Sequence, residues 1–333
     1  MRNLSTFAIL LFFFQQASAQ QQGLTLFDRL HRQDTILEIT ITCDWDSVLA
    51  VRKTETEIEG KLQFAGRNGA IDSWDTGVSS RGKFRRRICE FPPIKLEFSK
   101  KDLREAGLLP FDDLKLVTHC LDNPDSGERI IREYLIYRIY QMLSPYHCRV
   151  QLVRVNYADE DHSRPDEVHI GMLIEEDRMR ANRLGLNVVD TLNLHYGNFP
   201  PNMPDVHGLF QYLIGNTDWS LVASRNLEML RDEKTGLFYL IPFDFDFSGL
   251  VNAPYAVPNP DYRLTNIRQR VYLGPQPPSE QARMQVLAVK KDLLKFIRKF
   301  PHLSMEAKAD IIEYLNTGFG DIKRNKLALP GQG

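Results

Sequence analysis

Long apolar runs are scarce in this 333-residue sequence: the longest, Phe7 to Phe14, has eight residues, well short of the roughly 20 that a helix needs to cross a bilayer. A membrane-spanning helix is therefore not expected. Charge of one sign is missing too. Forty-two Lys and Arg stand against 43 Asp and Glu, and the net charge of −1 gives the whole chain no attraction for nucleic acid. Cysteine is confined to Cys43, Cys89, Cys120 and Cys148. None of the spacings is C-x-x-C, and no His stands at zinc-ligand spacing from a Cys, so no zinc site is expected. The eight histidines are scattered, without H-E-x-x-H, and neither G-x-S-x-G nor G-x-G-x-x-G occurs. Metalloprotease and serine-hydrolase chemistries thus have no anchor.

What is present begins with an address. Arg2, the apolar run and the small residues Ala17 and Ala19 before Gln20 follow the signal-peptidase pattern, which predicts a signal peptide over 1–19 and a secreted, periplasmic or cell-surface product. Gln20 stands where lipid attachment would need a Cys. Export would place the four cysteines where disulfides persist. Three connectivities are open to them, and one or two structural disulfides or simply buried thiols are expected. The composition, 43% hydrophobic and 26% charged, suits a sizeable globular core, and 314 residues after cleavage make one large domain or two lobes.

The first half reads as strands. Thr35 to Cys43 alternates in the manner of a half-buried strand, and Glu57 to Phe64 and Pro93 to Phe98 repeat the pattern, with turns expected around Gly66 to Gly69 and Asp75 to Gly77. From Asp125 the apolar residues recur at helical spacing, which predicts one long amphipathic helix over 127–143, stopped by Ser144-Pro145. Two strands follow, Arg149 to Tyr157 and Glu167 to Ile174. Beyond Glu176 helices are expected at Arg178 to Leu184, Val206 to Ile214, Glu280 to Phe300 and Ser304 to Phe319, interrupted by a hairpin over Leu227 to Phe243. This pattern predicts an α+β, two-lobed, protein-kinase-like fold: a sheet-rich N-lobe over 20–176 containing one long helix, and a mainly helical C-lobe over 177–333.

The densest set of chemically able residues is Asn216-Thr217-Asp218, then Asn226, then Phe243-Asp244-Phe245-Asp246-Phe247. Phosphoryl transfer needs a carboxylate to receive or orient a hydroxyl proton, with an amide oxygen and a carboxylate to hold magnesium. Asp244 and Asp246 alternate with aromatics, so on a strand both would share one face, where a cation would relieve their repulsion. A lone D-x-D serves equally well as a turn cap beside a solvated acid; N-x-D upstream and Asn226 eight positions after Asp218 favour the metal. The basic run Arg81, Lys83, Arg85, Arg86 and Arg87 reads either as a solvated loop or as a place to hold an anion.

Four segments in order resemble the CotH kinase family, atypical secreted or coat-associated protein kinases named for spore-coat protein H. They are Ser80-Arg81-Gly82 followed by a strand carrying Lys95, Arg132 to Tyr137 (REYLIY), His169 to Glu176 (HIGMLIEE), and the Asn216 to Gly249 cluster; together they span about residues 80 to 250. The resemblance implies that Asp218 is the catalytic carboxylate and that Asn226 and Asp246 ligate magnesium, with Asp244 as a second acid. It also implies that Lys95 and Arg81 contact ATP phosphates, with Glu133 as the ion-pair partner of Lys95 and Glu175 at the nucleotide site. The implied activity is transfer of the ATP terminal phosphate to the hydroxyl of a protein acceptor. A coat or surface protein that keeps the fold and transfers nothing is the alternative, and a metal-dependent phosphoesterase a third.

Overall fold

The computed structural model describes residues 23–274 and 277–330; the expected signal peptide, 1–19, lies outside them. Seven strands form the first half: β1 (Leu37–Cys43), β2 (Ile58–Ala65), β3 (Ile71–Ser80), β4 (Ile94–Glu97), β5 (Asp113–Val117), β6 (Val150–Asp159) and β7 (Glu167–Ile174). They close into a barrel in the order β1-β2-β3-β4-β5-β7-β6. Every pairing is antiparallel except the one that closes the ring, where β1 runs parallel to β6 with Leu37 opposite Val153 and Cys43 opposite Asp159. Alternate residues of each strand point inward, and Ile41, Leu62, Leu96, Leu116, Val155 and Leu173 are among those that fill the interior.

The helices are α1 (Leu26–Leu30), α2 (Trp45–Ala50), α3 (Arg85–Ile88), α4 (Lys100–Glu105), α5 (Ser126–Leu143), α6 (Asp177–Leu184), α7 (Met203–Ile214), α8 (Glu280–Ala288), α9 (Lys290–Lys299) and α10 (Met305–Arg324). A small antiparallel sheet, β8 (Asn187–Val189), β9 (Leu227–Arg231) and β10 (Phe238–Pro242), has the order β10-β9-β8. The division between α8 and α9 at Val289 splits what the sequence reads as one helix.

The expected two-lobed, kinase-like arrangement is not the fold. The β1–β6 pairing closes the strands into a barrel packed around its own interior, in place of the expected sheet-rich N-lobe. The long helix is also not amphipathic. Ile130 to Tyr137 are buried without interruption, because α5 runs between the barrel and the C-terminal helices. Tyr134 stacks on Phe300, Tyr140 packs tilted against Phe210 and Tyr137 meets Phe245 edge to face, so α5 belongs to the same core as α7 to α10. Among the described residues no helix is long and apolar enough to cross a membrane.

Cys89 and Cys120 form a disulfide; Cys43 and Cys148 are buried thiols. Burial pushes the Cys148 thiol up to about 11, so it is unreactive at neutral pH. The bond closes a 31-residue separation and fastens the end of α3 to the segment leading into α5. Cys89→Ser should lower unfolding stability by ~2–4 kcal/mol, read from the denaturant midpoint, with the parent falling to the same value under reductant.

Candidate functional site

A cleft of about 640 Å³ lies outside the barrel, against the ends of β5 and β7 and beneath α3, and is walled on its far side by the small sheet and the two loops that carry the acidic cluster. Arg81, Glu133, Glu175, Asp218, Asp244 and Asp246 all line it. Arg81 and Asp246, 165 positions apart in sequence, therefore reach one space.

The two acidic loops are pinned to each other by backbone. Asn216 bridges Ser248, Gly249 N–H donates to the Gly215 carbonyl at 3.0 Å, and Phe243 N–H donates to the Asn226 carbonyl at 3.1 Å. Gly215, with φ of 67°, ends α7 in the left-handed region, and a Cβ there would lie 1.9 Å from the Tyr314 hydroxyl. Only glycine fits that crossing. Helix α5 supports the second loop through one face: Tyr137 Oη accepts from Asp244 N–H at 3.2 Å, and Glu133 Oε1 accepts from Phe245 N–H at 3.4 Å. An i, i+4 spacing on the helix thus fixes consecutive backbone groups.

Asp246 is neutralised from within the chain. Arg85 donates to its Oδ2 from Nε at 3.0 Å and from Nη2 at 2.8 Å, Tyr255 Oη donates at 3.1 Å, and Arg85 Nη2 also lies 3.7 Å from Glu133 Oε2. Burial pushes the Glu133 carboxyl up against the pull of Arg85, with the Asp246 charge adding to the rise. Asp244 is different. Its carboxylate has no hydrogen bond or ion pair among the described residues, and its backbone is held in the left-handed region at φ 60°. It opens into the cleft while protein encloses it elsewhere, and this desolvation, with the Asp246 charge beside it, raises its pKa to about 8 against the pull of Arg85 and Arg81. A non-glycine residue held in this conformation with an unpaired acid is the pattern of a functional site.

Asp218 is set by an Asx turn: its N–H donates to Asn216 Oδ1 at 2.9 Å, and Asn216 is itself anchored to Gln211 Oε1 at 3.0 Å. Asn226, also left-handed at φ 53°, donates its amide to the Asp218 carbonyl at 2.6 Å and to Asp218 Oδ2 at 3.0 Å. Among the described residues its side-chain oxygen accepts no hydrogen bond. Trp219 packs beneath this loop, edge-on to His207 at 4.7 Å.

Lys95 is not in the cleft. It pairs with Glu97 and with Asp113 at 3.6 Å on the outside of the barrel, so the expected Lys95–Glu133 pair is absent and Arg85 takes the place of the lysine. Lys115 does line the cleft; it stands directly opposite Lys95 in the β4–β5 register and 3.3 Å from Asp177. Sequence reading missed both. The alternation in Asp113-Leu114-Lys115-Leu116-Val117 is the same signal that marked the Lys95 strand, and Arg85 sat within the basic run. Arg81 and Lys83 also line the cleft, and neither has an ion-pair partner among the described residues.

No family model and no curated protein matches this chain.

Proposed function

We propose that the cleft binds magnesium ATP and transfers the terminal phosphate to a protein hydroxyl, in an exported protein. The observation that carries this reading is the gathering of both signs of charge in one space: Asp244 faces Arg85 and Arg81 without a close ion pair to either, and Arg81 and Lys83 form no close ion pair among the described residues. A polyanion accompanied by a divalent cation matches both sets at once.

The donor set suits magnesium, since the carboxylates of Asp244 and Asp246 and the side-chain oxygen of Asn226 are all hard ligands. When bound, magnesium would neutralise phosphate charge in the transfer. Arg81 and Lys83 would hold phosphate oxygens. Asp218, its Oδ2 oriented by Asn226 and its backbone by Asn216, would accept the proton of the incoming hydroxyl. The phosphate leaves one oxygen and bonds to another, and the proton passes to the carboxylate.

Arg85 favours a second reading. A cation already sits on Asp246, which suits a protein that binds an anionic ligand and transfers nothing. Melting curves with ATP, with and without magnesium, together with label transfer from γ-labelled ATP, separate the two. The transfer reading expects magnesium ATP to raise the melting temperature of the parent, a clearly smaller rise for Asp244→Asn, and labelled acceptor protein. A rise without label leaves the binding reading, and no rise in the parent overturns both.

A further inference from the structure

Away from the cleft, at the end of the barrel, His119, Glu167 and His169 each offer a ligand atom within 4.8 Å of the others. Glu167, His169, Gly171 and Leu173 alternate along β7 and share one face. Leu173 is fully buried in the barrel interior, and a Cβ on Gly171 would meet Leu116 and Val153, so this face is the inward one and Glu167 and His169 continue it to the rim. His119 reaches the same point from just beyond β5, next to the disulfide residue Cys120.

His119 is held between two rings, stacked on Phe91 at 4.9 Å and on His169 at 3.7 Å. It is 93% buried by its 7% exposure, yet among the described residues its Nδ1 has no hydrogen-bond partner, and the Tyr157 hydroxyl, on the adjoining strand opposite Glu167, is buried without one too. A polar atom enclosed without a partner costs about 1–3 kcal/mol, so two of them at one rim call for a ligand. Glu167 is half satisfied: Arg164 donates to Oε1 at 2.8 Å, while Oε2 lies 3.5 Å from His169 Nε2.

We propose that His119, Glu167 and His169 bind a zinc-class divalent cation that clasps β7 to the segment fastened by the Cys89–Cys120 disulfide. Two imidazoles and one carboxylate are a zinc-type donor set, with a fourth position left for water. Donor atoms about one zinc lie roughly 3.4 Å apart for bonds of about 2.1 Å, so closure requires the His169 ring to turn out of its stack on His119, and both His169 and Glu167 are partly exposed. Nitrogen donors separate this site from the all-oxygen set in the cleft, and the two share no residue.

The test uses the full chain stripped with a chelator and titrated with zinc alone against a chromophoric competitor. One equivalent should bind, the melting temperature should rise, and His169→Ala and Glu167→Gln should each weaken binding by about 100-fold or more. Cobalt in place of zinc should give visible ligand-field absorption in the parent and none in His169→Ala. Without metal, His169→Ala should melt within a few degrees of the parent, which separates loss of the site from loss of the fold. Absence of zinc binding in the parent, or equal binding by folded His169→Ala, overturns the proposal. Neither readout depends on ATP, so its failure is distinct from failure of the phosphotransfer reading.

Discussion

Asp218→Asn should slow phosphate transfer from magnesium ATP by about 10³-fold while moving the melting temperature by no more than about 2 °C. The substitution keeps the shape of the side chain and one oxygen to accept from the Asn226 amide; it removes the only part that can take a proton. A positioned carboxylate base contributes about 10²–10⁴ in rate, and that is the share at stake. Little stability is lost with it. Asp218 is partly exposed, and its ion pair with Arg225, at 3.7 Å between two exposed groups, is of the kind worth about 0–1 kcal/mol. Asp246→Asn would not give so clean a result, because it also withdraws a charge from buried Arg85, and rate and stability would fall together. The comparison should be made as initial rates with γ-labelled ATP beside melting curves of both proteins. A rate within a few-fold of the parent removes Asp218 from the chemistry.

How far the sequence could be read follows the range of the interactions involved. Helix α5 was expected over 127–143 and spans Ser126–Leu143, and β7 has the expected bounds, because periodicity is local. Barrel closure was not legible: it depends on Leu37 meeting Val153 across more than a hundred residues, and no local pattern announces a parallel partner. Strand β3 was hidden for another reason. Asp75 to Gly77 is composed like a turn, yet Asp75 pairs with Lys61 and Thr76 with Gly60 in an unbroken ladder, so tertiary pairing overrides propensity. The acidic cluster was readable because its residues lie close in sequence. Lys95 and Lys115 occupy equivalent settings on adjacent strands, and which of them faces the cleft depends on the neighbour across it: Asp177 at the start of α6 reaches Lys115, whereas Glu97 and Asp113 hold Lys95 outside. The His119, Glu167 and His169 cluster escaped for the same reason as the barrel, since 48 residues separate its first two members.

Glu175→Gln should destabilise the fold by about 3–5 kcal/mol at pH 7, whatever ligand the cleft takes. The resemblance puts this residue at the nucleotide site, but its carboxylate is fully buried and already occupied. Arg183 donates to both oxygens at 2.8 Å, Arg149 Nε donates at 2.9 Å, and the Arg149 backbone N–H donates at 3.1 Å. Burial by itself would raise its pKa; the hydrogen bonds and charge of Arg183, with the charges of Arg149 and Arg180, outweigh it and hold the pKa at about 2, against 4.5 for a free glutamate. A carboxylate depressed in the folded state stabilises it fully above the unfolded pKa, and loses that contribution as pH falls toward the folded one. The fall from 4.5 to about 2 corresponds to about 3 kcal/mol, present above pH ~4.5 and lost progressively down to pH ~2. The amide accepts fewer hydrogen bonds than the carboxylate, and it leaves Arg183 without its counter-charge and Arg149 with Asp28 alone, at 2.9 Å. Denaturant unfolding at pH 7, 5 and 3 should therefore show a wide gap between parent and variant at the first two pH values that narrows at the third. A variant as stable as the parent at pH 7 would release Glu175 from this structural role and return it to the cleft as a ligand-binding group.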